Sequence, residues 1–261
     1  MPLPPEPQTK PRWPQKVSYI TQTTRPLNCL VFLLPILVLH FAGLLVFVLN
    51  SPTGQPKVNA AFGILRGLLS LFGSTALYVP GLLIVAILLT WHLAKGYPWQ
   101  VRARTILGMA AESFIFAWPL LVLCTIIVSE PPVLGAAQPT QSAYSIDSIT
   151  SETVLRIGAG IYEELLFRLA LVSAVAAMLN KIGNLAEDYS LIFAGIASAL
   201  LFGAYHFFYF EPGEITFIWP RFIFYFLAGI YFTGLYVLRG FGITVGVHIA
   251  YDLIVLALFH Q

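Results

Sequence analysis

The chain has 261 residues, of which 58% are hydrophobic and only 10% charged, with a mean hydropathy of +0.81. That composition excludes a water-soluble domain and implies an integral membrane protein made of helices, because several runs approach the ~20 apolar residues that cross hydrocarbon. A formal net charge of +2 is too small to suggest nucleic acid as a partner, and Cys29 and Cys124 supply neither a disulfide framework nor metal-ligand spacing.

Residues 1–26 are rich in Pro and polar groups and carry Lys10, Arg12, Lys16 and Arg25. They read as a disordered arm on the cytoplasmic side, too long and Pro-rich for a signal peptide. A first membrane helix follows over about 27–49, with Pro35 as a kink and His40 as a packed or hydrogen-bonded residue rather than a ligand. Pro52-Thr53-Gly54-Gln55-Pro56 breaks the pattern, and residues 58–73, which carry Arg66, read as interfacial or re-entrant. The second span, about 75–93, leads through Trp91-His92 into a loop with Lys95, Trp99, Arg102 and Arg104. Basic and aromatic residues together are the usual signature of a membrane boundary. The third span is about 105–128, with Glu112 placed to reach Arg102 or Arg104.

Residues 129–151 are rich in Pro, Ser, Thr and Gln and contain no Lys or Arg. They separate an N-terminal transmembrane part (27–128) from a C-terminal helical core (152–261). Four more spans are predicted in that core, at about 153–179, 189–208, 217–238 and 242–259. The expected architecture is therefore an all-α, polytopic bundle of about seven transmembrane helices. The basic arm, the 94–104 loop, the 180–188 turn and Arg239 fall on one side, and the 129–151 loop falls on the other. Counting Lys and Arg places the N-terminus in the cytoplasm, in a cell-membrane protein surrounded by lipid. Lys57 and Arg66 run against that rule.

The most informative stretch is Gly160-Ile161-Tyr162-Glu163-Glu164-Leu165-Leu166-Phe167-Arg168. On a helix Glu164 and Arg168 share a face, while Glu163 points about 100° away. Ionisable groups at membrane depth cost several kcal/mol each, so they face a protein cavity and find partners. A purely structural Glu164–Arg168 pair is the simpler reading of this stretch alone. Two later helices supply candidate partners: Phe202-Gly203-Ala204-Tyr205-His206, and His248-Ile249-Ala250-Tyr251-Asp252, whose His and Asp share a face. Two glutamates, two histidines, an aspartate and an arginine on three apolar helices are tolerable only if they meet.

Glu163-Glu164-x-x-x-Arg168, Phe202-x-x-x-His206 and His248-x-x-x-Asp252 resemble the three ordered motifs of the CAAX-protease and bacteriocin-processing family. That family comprises glutamate-type intramembrane endopeptidases and bacteriocin-immunity relatives, and the resemblance covers about 153–255. It implies a reaction without metal or cofactor, on a peptide or membrane-protein substrate. Glu163 would be the general base for water, His206 would hold that water, and Glu164 would pair with Arg168. His248 and Asp252 would stabilise the oxyanion, with Asp252 either fixing the imidazole tautomer or donating as an acid. Asp252 stands where the eukaryotic prenyl proteases carry Asn, so the resemblance leaves open whether the substrate is prenylated. The alternatives of another class are a non-catalytic immunity or binding protein of the same fold and a proton relay. A zinc site from Glu164, His206 and His248 is chemically conceivable, although the His-Glu-x-x-His signature is absent.

One mismatch remains. Measured along their helices, Glu163 and His206 lie about 25 Å from their basic ends and His248 only about 10 Å from its own.

Overall fold

The structure is a computed structural model that describes residues 17–50, 58–73, 77–128, 146–210 and 218–259. Among these residues all regular structure is helical. Helix α1 is Tyr19–Thr23, α2 Pro26–Asn50, α3 Ala60–Ser70, α4 Val79–Ala94 and α5 Ala103–Ile127. Helix α6, Ile146–Glu164, passes through a π-helical stretch, Leu165–Val172, into α7, Ser173–Lys181. Helices α8 (Glu187–Phe210), α9 (Trp219–Arg239) and α10 (Phe241–Phe259) complete the bundle.

Five helices are long and apolar enough to cross a membrane: α2, α5, α8, α9 and α10. The protein is an integral membrane protein. The sequence predicted seven spans, and the two extra ones differ for separate reasons. Helix α4 has 16 residues, about 24 Å, which is short of a typical hydrocarbon core. The α6–α7 rod is long enough, but it carries many charged residues, of which Arg156, Glu163, Glu164 and Arg168 are buried within the bundle. Residues 58–73, expected to be interfacial or re-entrant, contain the 11-residue α3, which is too short to span.

Other boundaries moved as well. Residues 19–23, assigned from sequence to a disordered arm, form α1, whose Gln22 Oε1 accepts from the Thr105 hydroxyl at the start of α5 (2.9 Å). Helix α6 begins at Ile146, inside the expected 129–151 loop. The remainder of the arm and of that loop, residues 1–16 and 129–145, and the break at 211–214 lie outside the described residues. Pro35 sits inside a continuous α2. His40 is buried and its Nδ1 lies 3.1 Å from the Val154 carbonyl, a packed helix residue as expected.

The outer surface is apolar, as lipid requires. Leu107, Phe114, Trp118, Val122 and Ile126 of α5 are all exposed and recur at helical spacing on one face. The interior is closed by α10, the most enclosed of the five spans, which packs against α5, α6, α9 and α2.

The depth mismatch disappears because α10 begins well inside the bundle. Arg239, the last residue of α9, pairs with Glu112, which lies about 13 Å along α5 from Ala103. Glu112 thus meets Arg239 rather than the expected Arg102 or Arg104, because the α9–α10 turn is the cation at its own level. Gly240 makes that turn with φ +87°, and an added Cβ would lie 2.8 Å from Thr24 Cα. Only glycine combines that backbone with that proximity. Gly242 N donates to Cys29 Sγ (3.4 Å), tying the start of α10 to the first turn of α2. His248 therefore lies about 23 Å below the start of α5, level with the other site residues.

Candidate active site

The π-helical stretch follows directly on Glu164. An i→i+5 turn is rare and usually appears where side chains must be re-aimed, and here it carries Arg168. Helices α6 and α10 meet at Gly160, where a Cβ would stand 2.5 Å from Ile249 Cγ1 and 3.1 Å from its main-chain N. The glycine lets the two backbones approach, so that the carboxylates one turn later reach His248.

All six residues singled out from sequence come together. Glu163, Glu164, Arg168, His248 and Asp252 are fully buried, and His206 is 4% exposed. The adjacent glutamates hold His248 from both sides. Its Nδ1 donates to Glu164 Oε1 at 2.7 Å, and its Nε2 faces Glu163 Oε2 at 3.9 Å. Asp252 Oδ2 lies 3.8 Å from the same Nε2. The carboxylate bonded to His248 Nδ1 is Glu164, while Asp252 lies on the Nε2 side of the ring. Glu164 Oε1 also accepts from Arg168 Nη1 at 3.0 Å, so one oxygen anchors both an imidazole and a guanidinium.

His206 Nδ1 lies 2.7 Å from the Phe202 carbonyl. A carbonyl only accepts, so Nδ1 carries the proton and Nε2 of the neutral ring is an acceptor. That Nε2 faces Glu163 Oε2 at 3.8 Å. Glu163 Oε2 and His248 Nε2 are buried without a direct hydrogen-bond partner, and they face each other across the same small space.

Several contributors were not foreseen from sequence. Tyr205 Oη donates to Glu163 Oε1 at 3.2 Å, holding one oxygen and turning the other toward the histidines. Its place within Phe202-x-x-x-His206 was the available signal. Two rings brace the imidazoles: Tyr225 stacks on His206 (centroids 4.0 Å, 17°) and Phe232 on His248 (5.0 Å, 15°). Arg168 is caged by aromatics, 4.3 Å from the Phe202 centroid and 5.1 Å from that of Phe232. Such contacts favour a cation removed from water. Arg156, 1% exposed, donates from Nη1 to the Asp252 carbonyl (3.4 Å) and lies 3.7 Å from Glu152. Nothing in its local sequence marked it.

The zinc set considered from sequence, Glu164, His206 and His248, does not share one face. Glu164 is bonded to Nδ1 of His248, on the opposite side of the ring from His206 and Glu163. Among the described residues no group of three or more His, Cys, Asp or Glu side chains has the geometry to hold a metal ion.

Residues 149–254 match the family model described as Type II CAAX prenyl endopeptidase Rce1-like, a span that contains every residue of the cluster and less than half of the chain. Comparison with curated proteins and with solved structures returned no match. The three motifs thus meet at one buried cluster inside the span, residues 149–254, that is similar to the Rce1-like type II CAAX prenyl endopeptidases.

Proposed function

We propose that this protein hydrolyses a peptide bond of a membrane-associated protein or peptide, using water activated by Glu163 and no metal ion. The observation that carries the reading is the pairing of Glu163 Oε2 with His206 Nε2 and His248 Nε2 at 3.8 and 3.9 Å. These gaps exceed a hydrogen bond, and one water off the joining line reaches both ends of such a pair. His206, an acceptor at Nε2, takes one hydrogen of that water, and Glu163 Oε2 takes the other. The water's lone pair is then free to attack.

As the oxygen adds to the scissile carbonyl, its proton passes to Glu163. His248, as an imidazolium, donates from Nδ1 to Glu164 and from Nε2 to the developing oxyanion. Asp252, beside that nitrogen, either holds the imidazolium charge or donates as a protonated acid. Collapse of the tetrahedral species breaks the C–N bond, and Glu163 returns its proton to the leaving amine. Glu164 and Arg168 do not touch the reacting atoms. Their pair sets the orientation of His248 and offsets one of three clustered carboxylates.

The test is cleavage by purified protein in liposomes. Glu163→Gln and His206→Ala are expected to abolish turnover, a loss on the order of 10²–10⁴-fold for a general base, with the protein still folded. Metal chelators are expected to leave the rate unchanged. Full activity of Glu163→Gln would leave a binding or immunity role, and loss on chelation with recovery on adding zinc would replace the base mechanism by a metal one.

A further inference from the structure

We propose that the cavity between α1 and the start of α5 binds a phosphate group, presented by an anionic phospholipid of the leaflet at that end of the bundle. The cavity lies outside the matched residues 149–254, and the proposal is independent of the peptidase reading.

The cavity has a volume of about 640 Å³ and is lined by Tyr19, Gln22, Arg102, Arg104, Thr105 and Leu107, a size that suits a small ligand or headgroup. Its walls are held in place by contacts of their own. Gln22 uses both ends of its amide: Nε2 donates to the Val17 carbonyl at 2.8 Å, and Oε1 accepts from the Thr105 hydroxyl at 2.9 Å. The Tyr19 ring lies on Gly108, where an added Cβ would stand 2.7 Å from its hydroxyl. Helix α1 therefore rests directly on α5.

Two positive charges meet in this space. Side chains two residues apart within a helix diverge, but Arg102 holds the extended backbone before α5 (φ −111°, ψ 127°) while Arg104 is already helical. The change of direction lets both line one cavity. Both are exposed, and among the described residues neither is paired with a carboxylate. Glu112, the acid of α5, lies about 12 Å further along the helix than Arg104 and is held by Arg239. Planar guanidinium groups match phosphate oxygens two at a time.

Position selects the source of the phosphate. Helix α5 is a candidate membrane span that starts at Ala103, so the arginines stand at the level of phospholipid headgroups. Trp99, 64% exposed, is the kind of residue that marks this level. Leu107, 70% exposed, lies one turn inward and meets the acyl chains. Basic pockets among membrane helices take anionic headgroups in this way. A choline headgroup carries its own cation, so two arginines select a lipid of net negative charge. A lipid held here also bears on Tyr19, whose ring lies 5.4 Å from the Arg239 guanidinium, and so on the turn where α10 starts.

The full chain in a neutral detergent is titrated with phosphatidylglycerol and with phosphatidylcholine of the same acyl chains, and bound lipid is counted by native mass spectrometry. Tighter binding of phosphatidylglycerol is expected. Arg102→Gln/Arg104→Gln should weaken it by about fivefold for each arginine removed and leave phosphatidylcholine binding unchanged. Lys95→Gln/Lys181→Gln removes the same charge from exposed residues that do not line the cavity, and the preference should persist. Inorganic phosphate at the concentration of the lipid should not displace phosphatidylglycerol. Equal binding of the two lipids, or an equal loss in the lysine variant, overturns the site. Displacement by inorganic phosphate overturns the lipid as the source and leaves a site for soluble phosphate.

Discussion

Two Glu–Arg pairs sit in this bundle and teach different things. Glu164–Arg168 spans a single turn, is fully buried at both ends and shares its carboxylate with His248. Glu112–Arg239 joins α5 to α9, keeps 22% and 14% of its side chains exposed, and lies beneath the Tyr19 ring. Both pairs hold helices in register. Only the first is enclosed tightly enough that removing one partner strands a charge, since Arg168 has aromatic rings around it and no route to solvent. The second can be rehydrated from the basic face of the bundle.

That contrast can be broken by mutation. The largest expected effect is Arg168→Met, which leaves Glu164 buried and uncompensated. A loss of about 3–5 kcal/mol of stability is expected, read as the shift in thermal or denaturant unfolding in detergent. The double variant Glu164→Gln/Arg168→Met should recover much of that stability and none of the activity, because His248 still lacks its anchor. An inactive but stable double variant separates orientation from folding. If the double variant were no more stable than the single, the stranded charge would not be the cause.

Next in size is Gly160→Ala. The new methyl collides with Ile249, and overpacking of this kind costs about 1–3 kcal/mol. Because the collision is partly with a side chain, Ile249→Ala should restore part of both stability and turnover. A wild-type rate for Gly160→Ala would show that α6 and α10 need not approach so closely for the site to form.

Tyr205→Phe removes the hydroxyl that holds Glu163 Oε1 and leaves the ring in place. A fall in kcat of about tenfold with KM unchanged is expected, equivalent to about 1.4 kcal/mol, close to the lower end for a hydrogen bond to a charged group. A change in KM alone would mean that the hydroxyl meets substrate instead. The smallest effect belongs to Arg239→Gln. A partly exposed pair contributes about 1 kcal/mol or less, so unfolding should shift little and turnover hardly at all. A loss as large as that of Arg168→Met would erase the distinction between the two pairs.

The readable part of this chain was what lies within one helix. Glu164 with Arg168, Phe202 with His206 and His248 with Asp252 are pairs four residues apart, and helical geometry alone sets each on a common face. Hydrophobic runs likewise placed α2, α5, α8, α9 and α10 to within a few residues. Partners across helices were harder: Glu112 was matched to the nearest cations in the chain and found Arg239 instead. The depth of His248 stayed open, because distance along α10 says nothing about where α10 starts. The π-helical stretch left no pattern of its own, since its residues differ little from those of an ordinary apolar helix.

Composition and spacing by themselves determined a helical membrane bundle and named six residues that had to share a cavity. The tertiary structure alone decided which nitrogen of His248 faces which glutamate and that Tyr205 and Arg156 join the cluster. The physical reason is that a helix fixes the angle between its own side chains. The sliding and rotation of one helix against another are set by close contacts such as Gly160 on Ile249, which no single segment of sequence contains.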